Sequence, residues 1–330
     1  MGVGGVRIGI SVAGSVADLY HKGMPNLSVN LAPRNPSGLL LRNPVAAASG
    51  TFGYGTEYAR VVDIQRLGAI FAKGTTLHPR RGALPPRLAE TPGGMLNAVG
   101  LQNPGVRNVV REKAPIWARW QTPVVVNVAG ETIDEYADVA AALDGVPGVA
   151  GVELNISCPN VAAGGMIFGT DPRLAGEVTA AVRAATTLPL IVKLSPNVTD
   201  IRPVALAVAE AGADALSLIN TLLGMSIDVH ARQPRLGNGT GGLSGPAVKP
   251  VALRMVYQVA ETVDLPLVGR GGITRLEDAL EFFMAGASCV QVGTATFAQP
   301  HTMLRLVDEL VAWMEREGVR ALDEIVGAAH

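Results

Sequence analysis

The sequence predicts an α/β protein that folds as one closed (β/α)8 barrel. The 330-residue chain contains eight short β-rich runs, and helical patterns separate most of them. Most of these runs are continuously apolar, as expected for parallel strands that are covered on both faces. No change in composition divides the chain, which favours one barrel over two domains. A doubly wound sheet is the alternative that strand counting leaves open.

The predicted strands are short, as is usual in barrels of this class. In chain order they cover residues 45–48, 69–73, 124–128, 151–156, 190–194, 215–220, 267–270 and 289–293. Helices are predicted at 133–143, 172–186, 200–211, 246–262, 275–285 and 303–317. Thr132 and Asp171 are suitable N-cap residues, and Pro172 suits the first helical position. Gly212 is a stop signal after the third of these helices.

Three further segments complete the predicted architecture. Residues 27–31 and 39–41 flank a Pro/Asn/Gly turn and predict an N-terminal β-hairpin that closes the bottom of the barrel. Long segments follow the second and sixth strands, at 74–104 and 221–245, and long loops of this kind are usually functional or disordered. Residues 1–26 are interpreted as a disordered leader, because Gly9, Ser11 and Gly14 interrupt the apolar run that a secretion signal needs. The barrel domain is therefore predicted to span residues 27–330.

Composition excludes several classes of function. The 27 basic and 28 acidic residues leave a net charge of −1, so nucleic acid is disfavoured as the main partner. The apolar runs are too short to span a membrane. The two cysteines, Cys158 and Cys289, form neither a disulfide framework nor a zinc motif, so no metal site is expected. Free thiols fit a reducing compartment, and we expect a cytoplasmic protein.

Polar side chains follow the apolar bodies of the predicted strands at their carboxyl ends. They include two lysines, Lys73 and Lys193, and three asparagines, Asn127, Asn155 and Asn220. The carboxyl ends of barrel strands meet at the catalytic face. A single lysine at a strand end is more often a solvated terminus, but the whole set predicts a site for an anionic, amide-rich ring.

Glycine-rich turns follow the last two predicted strands. Gly271 and Gly272 follow the seventh strand, and Gly293 and Thr294 follow the eighth. In barrels these two loops commonly bind phosphate through backbone N–H groups. Because no Walker motif or metal-ligand cluster accompanies them, they favour a phosphorylated cofactor such as FMN.

The loop after the fourth predicted strand contains the most reactive candidate side chain. Cys158 lies three residues beyond Asn155, just before a proline. A cysteine there can act as a nucleophile, a base or a metal ligand, or can fill space, and the local sequence leaves these open. Cys289 lies within an apolar strand and is interpreted as a buried filler.

Several motifs carry a resemblance to a known family. They are Asn97-Ala-Val-Gly-Leu-Gln-Asn-Pro-Gly105, Glu153-Leu-Asn-Ile-Ser-Cys-Pro-Asn160, Phe168-Gly-Thr-Asp-Pro172, Ile219-Asn-Thr221, Gly241-Gly-Leu-Ser-Gly-Pro-Ala247 and Gly269-Arg-Gly-Gly-Ile273. In this order they resemble class 1 dihydroorotate dehydrogenases, from about residue 27 to the C-terminal helix. Residues 1–26 fall outside the resemblance.

The resemblance implies a function and a set of site residues. The family oxidises dihydroorotate to orotate on FMN in pyrimidine biosynthesis, and the position of Cys158 matches its catalytic base. The substrate contacts it implies are Lys73, Asn97, Ala98, Val99, Gly100, Leu101, Asn155, Asn220 and Thr221. The FMN contacts it implies are Ser49, Lys73, Gly74, Asn127, Asn155, Lys193, Ile219, Gly245, Gly271, Gly272, Gly293 and Thr294. The implied role of Lys193 is to stabilise negative charge on the reduced flavin.

The subclass follows from finer similarities. Residues 73–76, 97–104 and 164–169 are most similar to the catalytic subunit of NAD-linked (class 1B) members. Such members form a homodimer core with an iron–sulfur flavoprotein that carries FAD and a [2Fe–2S] cluster, giving a heterotetramer. The chain has no Cys₄ cluster motif or second dinucleotide-binding region of its own.

Three alternatives remain at this point. One is a fumarate-dependent (class 1A) dihydroorotate dehydrogenase. Another is a pyrimidine reductase similar to dihydropyrimidine dehydrogenases, which share the barrel and a Ser-Cys-Pro loop. The third is a flavin-binding or scaffold barrel without catalytic activity.

Overall fold

The computed structural model describes residues 24–156 and 168–330. Its strands are β1 Val29–Asn30, β2 Leu40–Leu41, β3 Val45–Ala47, β4 Ala69–Thr75, β5 Leu88–Thr91, β6 Gly94–Asn97, β7 Val124–Val128, β8 Gly151–Asn155, β9 Leu190–Lys193, β10 Ala215–Leu218, β11 Leu222–Met225, β12 Ile227–Asp228, β13 Gln233–Pro234, β14 Thr240–Ser244, β15 Leu267–Arg270 and β16 Cys289–Val292. Its α-helices are α1 Val106–Asn108, α2 Ala114–Trp117, α3 Ile133–Leu143, α4 Pro172–Ala185, α5 Arg202–Glu210, α6 Lys249–Ala260, α7 Leu276–Met284, α8 Ala295–Ala298 and α9 Thr302–Glu317.

Eight of these strands close into a parallel barrel. Around the barrel they follow chain order, as β3, β4, β7, β8, β9, β10, β15 and β16, and β16 pairs with β3 through Gln291 and Ala46. All eight lie where the sequence predicts strands, so the predicted (β/α)8 fold is confirmed. The sixth strand ends at Leu218, two residues earlier than predicted.

The helix predictions are also confirmed, with small changes at the ends. The Thr132 hydroxyl accepts a hydrogen bond from the Glu135 N–H at 3.2 Å, and α3 has the predicted bounds. The Asp171 carboxylate caps α4 in the same way, through the Leu174 N–H at 3.1 Å. The predicted helix at 246–262 begins as a 3₁₀ turn, Pro246–Val248, before α6. Among residues 24–156 and 168–330, no helix is long and apolar enough to cross a bilayer.

The predicted N-terminal hairpin plugs the bottom of the barrel. β1 and β2 pair antiparallel, with Val29 opposite Leu41. Leu31, Leu39 and Leu41 then pack against the inward side chains of the lower barrel, including Phe71. Apolar packing thus closes the interior at this end.

Cys289 belongs to the same lower core. Its side chain is fully buried, and burial raises the pKa of its thiol far above the ordinary value. A neutral, enclosed thiol is unreactive. The interpretation of Cys289 as a filler therefore agrees with its surroundings.

The two long segments pair with each other in one antiparallel sheet. The first segment contributes β5 and β6, the second contributes β11 and β14, and the strand order is β11-β14-β6-β5. The join is made by β6 and β14, where Leu96 lies opposite Leu243. Gly94 in β6 lies so close to β14 that a Cβ there would fall 1.9 Å from the Ser244 carbonyl oxygen. These segments are ordered parts of the site rather than loose loops.

The hairpin plug provides a test of the fold. We expect Leu41→Ala to lower the free energy of unfolding by about 2–5 kcal/mol, because it leaves a cavity in the lower core. Leu40→Ala is the matched control: Leu40 is 48% exposed and Leu41 fully buried. Leu40→Ala should change the free energy of unfolding by less than about 1 kcal/mol. Equal losses in urea denaturation would contradict the hairpin's role as a plug.

Candidate active site

A cavity of about 550 Å³ lies between the carboxyl ends of the barrel strands and the antiparallel sheet. Its volume is within the range of sites for small molecules and cofactors. The barrel supplies mostly polar residues to its lining, whereas the sheet adds apolar side chains such as Leu88, Met95 and Leu243. The cavity therefore has one polar wall and one largely apolar wall.

Inward-facing positions change from apolar to polar along most of the barrel strands. On β7, Val125 packs in the lower core, and Asn127 lines the cavity. On β9 the same change occurs between Ile191 and Lys193. Side chains two residues apart share a face of a strand, so these polar groups must enter the barrel if the apolar ones below them do. The polar wall follows from strand geometry.

A buried carboxylate, Glu153, connects the polar groups of the barrel interior. Its Oε2 accepts hydrogen bonds from Asn127 Nδ2 at 2.6 Å and Ser49 Oγ at 3.1 Å. Its Oε1 accepts from Ser217 Oγ at 2.8 Å and forms an ion pair with Arg270 Nη1 at 3.3 Å. Glu153 is fully buried, so these partners replace its hydration.

The local charges keep Glu153 ionised. Burial alone would raise the pKa of its carboxyl, but the positive charges of Arg270 and Lys193, with hydrogen bonds from Ser217 and Asn127, lower that pKa to about 2. Burial lowers the pKa of Arg270, and Glu153 opposes that change. Because a guanidinium stays protonated in proteins, the pair is charged at neutral pH.

Three asparagines continue from Glu153 across the site. Asn127 Oδ1 accepts from Asn155 Nδ2 at 3.4 Å, and Asn155 Oδ1 accepts from Asn220 Nδ2 at 3.3 Å. The backbone of Asn155 is held from behind by the Tyr136 hydroxyl, which donates to the Asn155 carbonyl at 2.9 Å. We call Asn127, Asn155 and Asn220 the amide row.

Two lysines add positive charge to the polar wall. Lys193 Nζ donates to Ser49 Oγ at 3.3 Å. Lys73 is half-buried, and burial lowers the pKa of its ammonium, an effect that Glu57 partly offsets. A partly desolvated ammonium interacts more strongly with an anion than an exposed one does. This end of the cavity suits an anionic group.

The opposite end of the cavity is lined by glycines at positions where the backbone conformation favours glycine. Gly245 and Gly272 have φ angles of +97° and +79°. A Cβ at Gly272 would lie 2.8 Å from the Lys249 Cβ and 2.9 Å from the Gly245 oxygen. Gly271 and Gly272 follow one another in the turn after β15, with φ angles of +124° and +79°, and both line the cavity. Consecutive N–H groups of this kind bind anions, so this end fits the phosphate of a cofactor.

The segment between the two ends is fixed by Asn103. Its Oδ1 accepts from the N–H groups of Thr76 at 3.2 Å and Gly105 at 2.8 Å. Its Nδ2 donates to the Leu101 carbonyl at 2.7 Å, and Leu101, which has a left-handed φ of +53°, packs against Gly74. A Cβ at Gly74 would lie 3.0 Å from the Leu101 side chain, so a larger residue there would displace that side chain.

The cavity brings together nearly all the residues that the sequence predicts for the site. From the predicted substrate set it is lined by Lys73, Asn97, Val99, Gly100, Leu101, Asn155, Asn220 and Thr221. From the predicted FMN set it is lined by Ser49, Lys73, Gly74, Asn127, Asn155, Lys193, Ile219, Gly245, Gly271, Gly272, Gly293 and Thr294.

One predicted residue is not part of this lining, and another is not among the described residues. Ala98 is fully buried with Leu96 and Leu236 in a small core of the antiparallel sheet, so its methyl group faces away from the cavity. Cys158 lies outside the described residues, which end at Ile156 and resume at Phe168.

Sequence reasoning missed the charged pair formed by Glu153 and the cavity residue Arg270. Glu153, Arg270 and the cavity residue Gln291 were assigned no role. The alternation of side chains places Arg270 and Gln291 inside the barrel, although it does not reveal what they bind. Arg270 follows inward-facing Val268 by two residues, and Gln291 follows Cys289 in the same way.

Comparisons with known proteins give one consistent result. A family model described as Dihydroorotate dehydrogenase matches residues 33–314. A Pelobacter propionicus protein named dihydroorotate dehydrogenase B (NAD(+)), catalytic subunit, is 58% identical over 304 residues, covering 92% of this chain and 98% of that protein. A Desulforudis audaxviator protein of the same name is 58% identical over 294 residues, covering 89% of this chain and 96% of its own. The solved structure of DHODH from Eimeria tenella in complex with ferulenol superimposes with a TM-score of 0.76 at 21% identity, over 94% of this chain and 90% of that one, and supports the fold.

The charged state of Glu153 can be tested by pH. Its pKa is lower in the folded chain than the ordinary 4.5, so its stabilising effect is present above about pH 4.5 and is lost as the pH falls towards 2. We expect Glu153→Gln to cost about 3 kcal/mol at pH 7, because Arg270 loses its counter-ion. The free energies of unfolding of the wild type and of Glu153→Gln should become equal as the pH falls from 4.5 to 2. A constant difference across that range would contradict an ionised Glu153.

Proposed function

Because this chain belongs to the dihydroorotate dehydrogenase family, we propose that it oxidises dihydroorotate to orotate on FMN, a step of pyrimidine biosynthesis. One observation carries the proposal. A single cavity joins a glycine end suited to phosphate with an amide and lysine end suited to an anionic ring. The reaction needs a cofactor and a substrate side by side, and this cavity offers a place for each.

The cofactor would lie along the barrel wall. Its phosphate would be held by the N–H groups of Gly271, Gly272 and Thr294, and its ring by Ser49 and Lys193. FMN, when bound, supplies the hydride acceptor. Lys193 would favour negative charge on the reduced ring, and its own contact to Ser49 fixes its position.

The substrate would occupy the amide and lysine end. The Lys73 ammonium is partly desolvated, which strengthens its attraction for the substrate carboxylate. Asn97, Asn155 and Asn220 carry the amides that match the ring's N–H and carbonyl groups. The Asn97 side chain is oriented by its own hydrogen bond to the Gly242 carbonyl at 3.1 Å.

Cys158 would be the base that removes the C5 proton, while C6 gives up its hydride. Together these steps remove a proton from C5 and a hydride, which carries two electrons, from C6. A C5–C6 double bond forms, which converts dihydroorotate to orotate. Cys158 follows Asn155, a cavity residue, by three positions in the sequence. A free thiol has a pKa of about 8.5, which suits a base near neutral pH better than a serine hydroxyl does.

The electrons would pass to NAD⁺ through a partner subunit. The curated relatives are named as NAD(+)-linked catalytic subunits, which implies a second subunit for them. We propose for this chain a homodimer core joined to an iron–sulfur flavoprotein with FAD and a [2Fe–2S] cluster.

The role of Cys158 can be tested with flavin reduction. We expect Cys158→Ser to slow reduction by dihydroorotate by about 10²–10⁴-fold at neutral pH, because the serine hydroxyl is a far weaker base. Stopped-flow absorbance of the flavin measures the rate, and FMN should stay bound. Cys289→Ala, which changes the enclosed cysteine, should keep the wild-type rate. An unchanged rate in Cys158→Ser would contradict the assignment.

The phosphate end can be tested with a glycine pair. We expect Gly272→Ala to weaken FMN binding by about tenfold or more, because the added Cβ meets Lys249 and Gly245. Gly318→Ala is the control, since Gly318 has a similar φ of +73° but open space around it. Flavin content after dialysis measures the loss. Equal flavin content in both variants would contradict a phosphate site at Gly272.

The electron acceptor can be tested with the isolated chain. After reduction by dihydroorotate, we expect slow reoxidation by fumarate or by NAD⁺ alone. Reoxidation by NAD⁺ should become fast when an FAD/[2Fe–2S] partner is added. Rapid turnover with fumarate alone would contradict the NAD-linked assignment and favour the fumarate-dependent alternative.

A further inference from the structure

We propose that Glu153 is a positioning residue that sets the direction of the amide row, and thereby the hydrogen-bonding pattern offered to the substrate ring. This rests on the proposed function, because it assigns the row to recognition of that ring. Glu153 acts through Asn127 and does not itself line the cavity.

The first step is the contact between Glu153 and Asn127. An ionised carboxylate can only accept hydrogen bonds. The 2.6 Å contact to Glu153 Oε2 must therefore come from the Asn127 nitrogen. This places the Asn127 oxygen on the other side of its amide, towards Asn155.

The orientation of the Asn127 amide determines the orientations of the next two asparagines in the row. Asn127 Oδ1 needs a donor, which is Asn155 Nδ2, and Asn155 Oδ1 then accepts from Asn220 Nδ2. Asn220 Oδ1 ends the row by accepting from the Thr221 N–H at 2.9 Å. The Glu153 carboxylate at one end of the row can only accept hydrogen bonds, and the Thr221 N–H at the other end can only donate. Both ends therefore require the amide nitrogens to donate towards Glu153.

Burial makes it costly to reverse any amide of the row. Asn127 and Asn155 are 1% and 6% exposed, so water cannot easily replace a lost partner. Reversing one amide would place two oxygens or two N–H groups against each other, and an unmatched buried polar group is costly. The row should therefore keep one orientation in the resting protein.

The direction has a consequence for specificity. Asn155 and Asn220 both line the cavity, and the row decides on which side of each amide the nitrogen and the oxygen lie. A pyrimidine ring alternates N–H donors and carbonyl acceptors, so it pairs well with one arrangement only. Sites that hydrogen-bond polar groups of a ligand discriminate strongly against mismatched patterns.

The two oxygens of Glu153 allow a matched comparison. Oε2 accepts hydrogen bonds from Asn127 and Ser49. Oε1 accepts a hydrogen bond from Ser217 and forms the ion pair with Arg270. Ser217 is fully buried and is not part of the cavity lining. Ser217→Ala therefore removes a hydrogen bond from the same carboxylate without touching the row.

The test measures orotate binding to the FMN-loaded protein through the change in flavin absorbance. In Glu153→Gln the side chain keeps its shape but can donate as well as accept, so only the Thr221 N–H still fixes the direction of the row. We expect the Kd for orotate to rise by about 10-fold or more, with the KM for dihydroorotate rising by a larger factor than kcat falls. Ser217→Ala should stay within about twofold. Equal Kd values for both variants would overturn the proposal.

A second measurement covers the case in which Glu153→Gln loses FMN or fails to fold. Neutron diffraction from deuterium-exchanged wild-type crystals shows amide orientation directly. We expect deuterons between Asn127 and Glu153, and between Asn155 and Asn127, on the nitrogens named above. A reversed amide at either position would overturn the proposal. Failure of the wild type to bind orotate would instead contradict the proposed function, and the neutron result would still test the row.

Discussion

The site depends on one buried ion pair, between Glu153 and Arg270. A barrel interior is normally apolar, and charged groups enter it only with partners that replace water. Here the pair lies at the level where the lower core gives way to the cavity, and Glu153 also binds Ser49 and Asn127. The polar wall can exist inside the barrel because this carboxylate supplies a compensated charge for the residues around it.

The remaining architecture isolates this polar layer. The hairpin of β1 and β2 closes the barrel below it with leucines, and the antiparallel sheet covers it above. The sheet draws its strands from two segments far apart in the chain, which meet where Leu96 lies opposite Leu243. Water is thus restricted on both sides, so charges in the cavity interact more strongly than they would at a surface.

The barrel was predictable from the sequence, because strands buried on both faces must be continuously apolar and the turns after them carry distinctive glycines. Most cavity residues were predictable for a related reason: they end the strands. The pairing of β6 with β14 was not, since each strand is short and rich in glycine and their partnership depends on distant residues. The roles of Glu153 and Arg270 were missed because a charge within an apolar run has no meaning until its partner is known. Ala98 shows the opposite kind of error: the sequence predicts it as a site residue because it belongs to a binding motif, but its side chain points away from the site.

The central claim is that this cavity holds FMN and uses it to oxidise dihydroorotate. Anaerobic titration of the purified, flavin-containing protein with dihydroorotate tests it most directly, with flavin absorbance and orotate followed together. The account predicts that the flavin bleaches as dihydroorotate is added and that one orotate forms for each flavin reduced. A flavin that stays oxidised in excess dihydroorotate, or that bleaches without orotate appearing, would contradict the account.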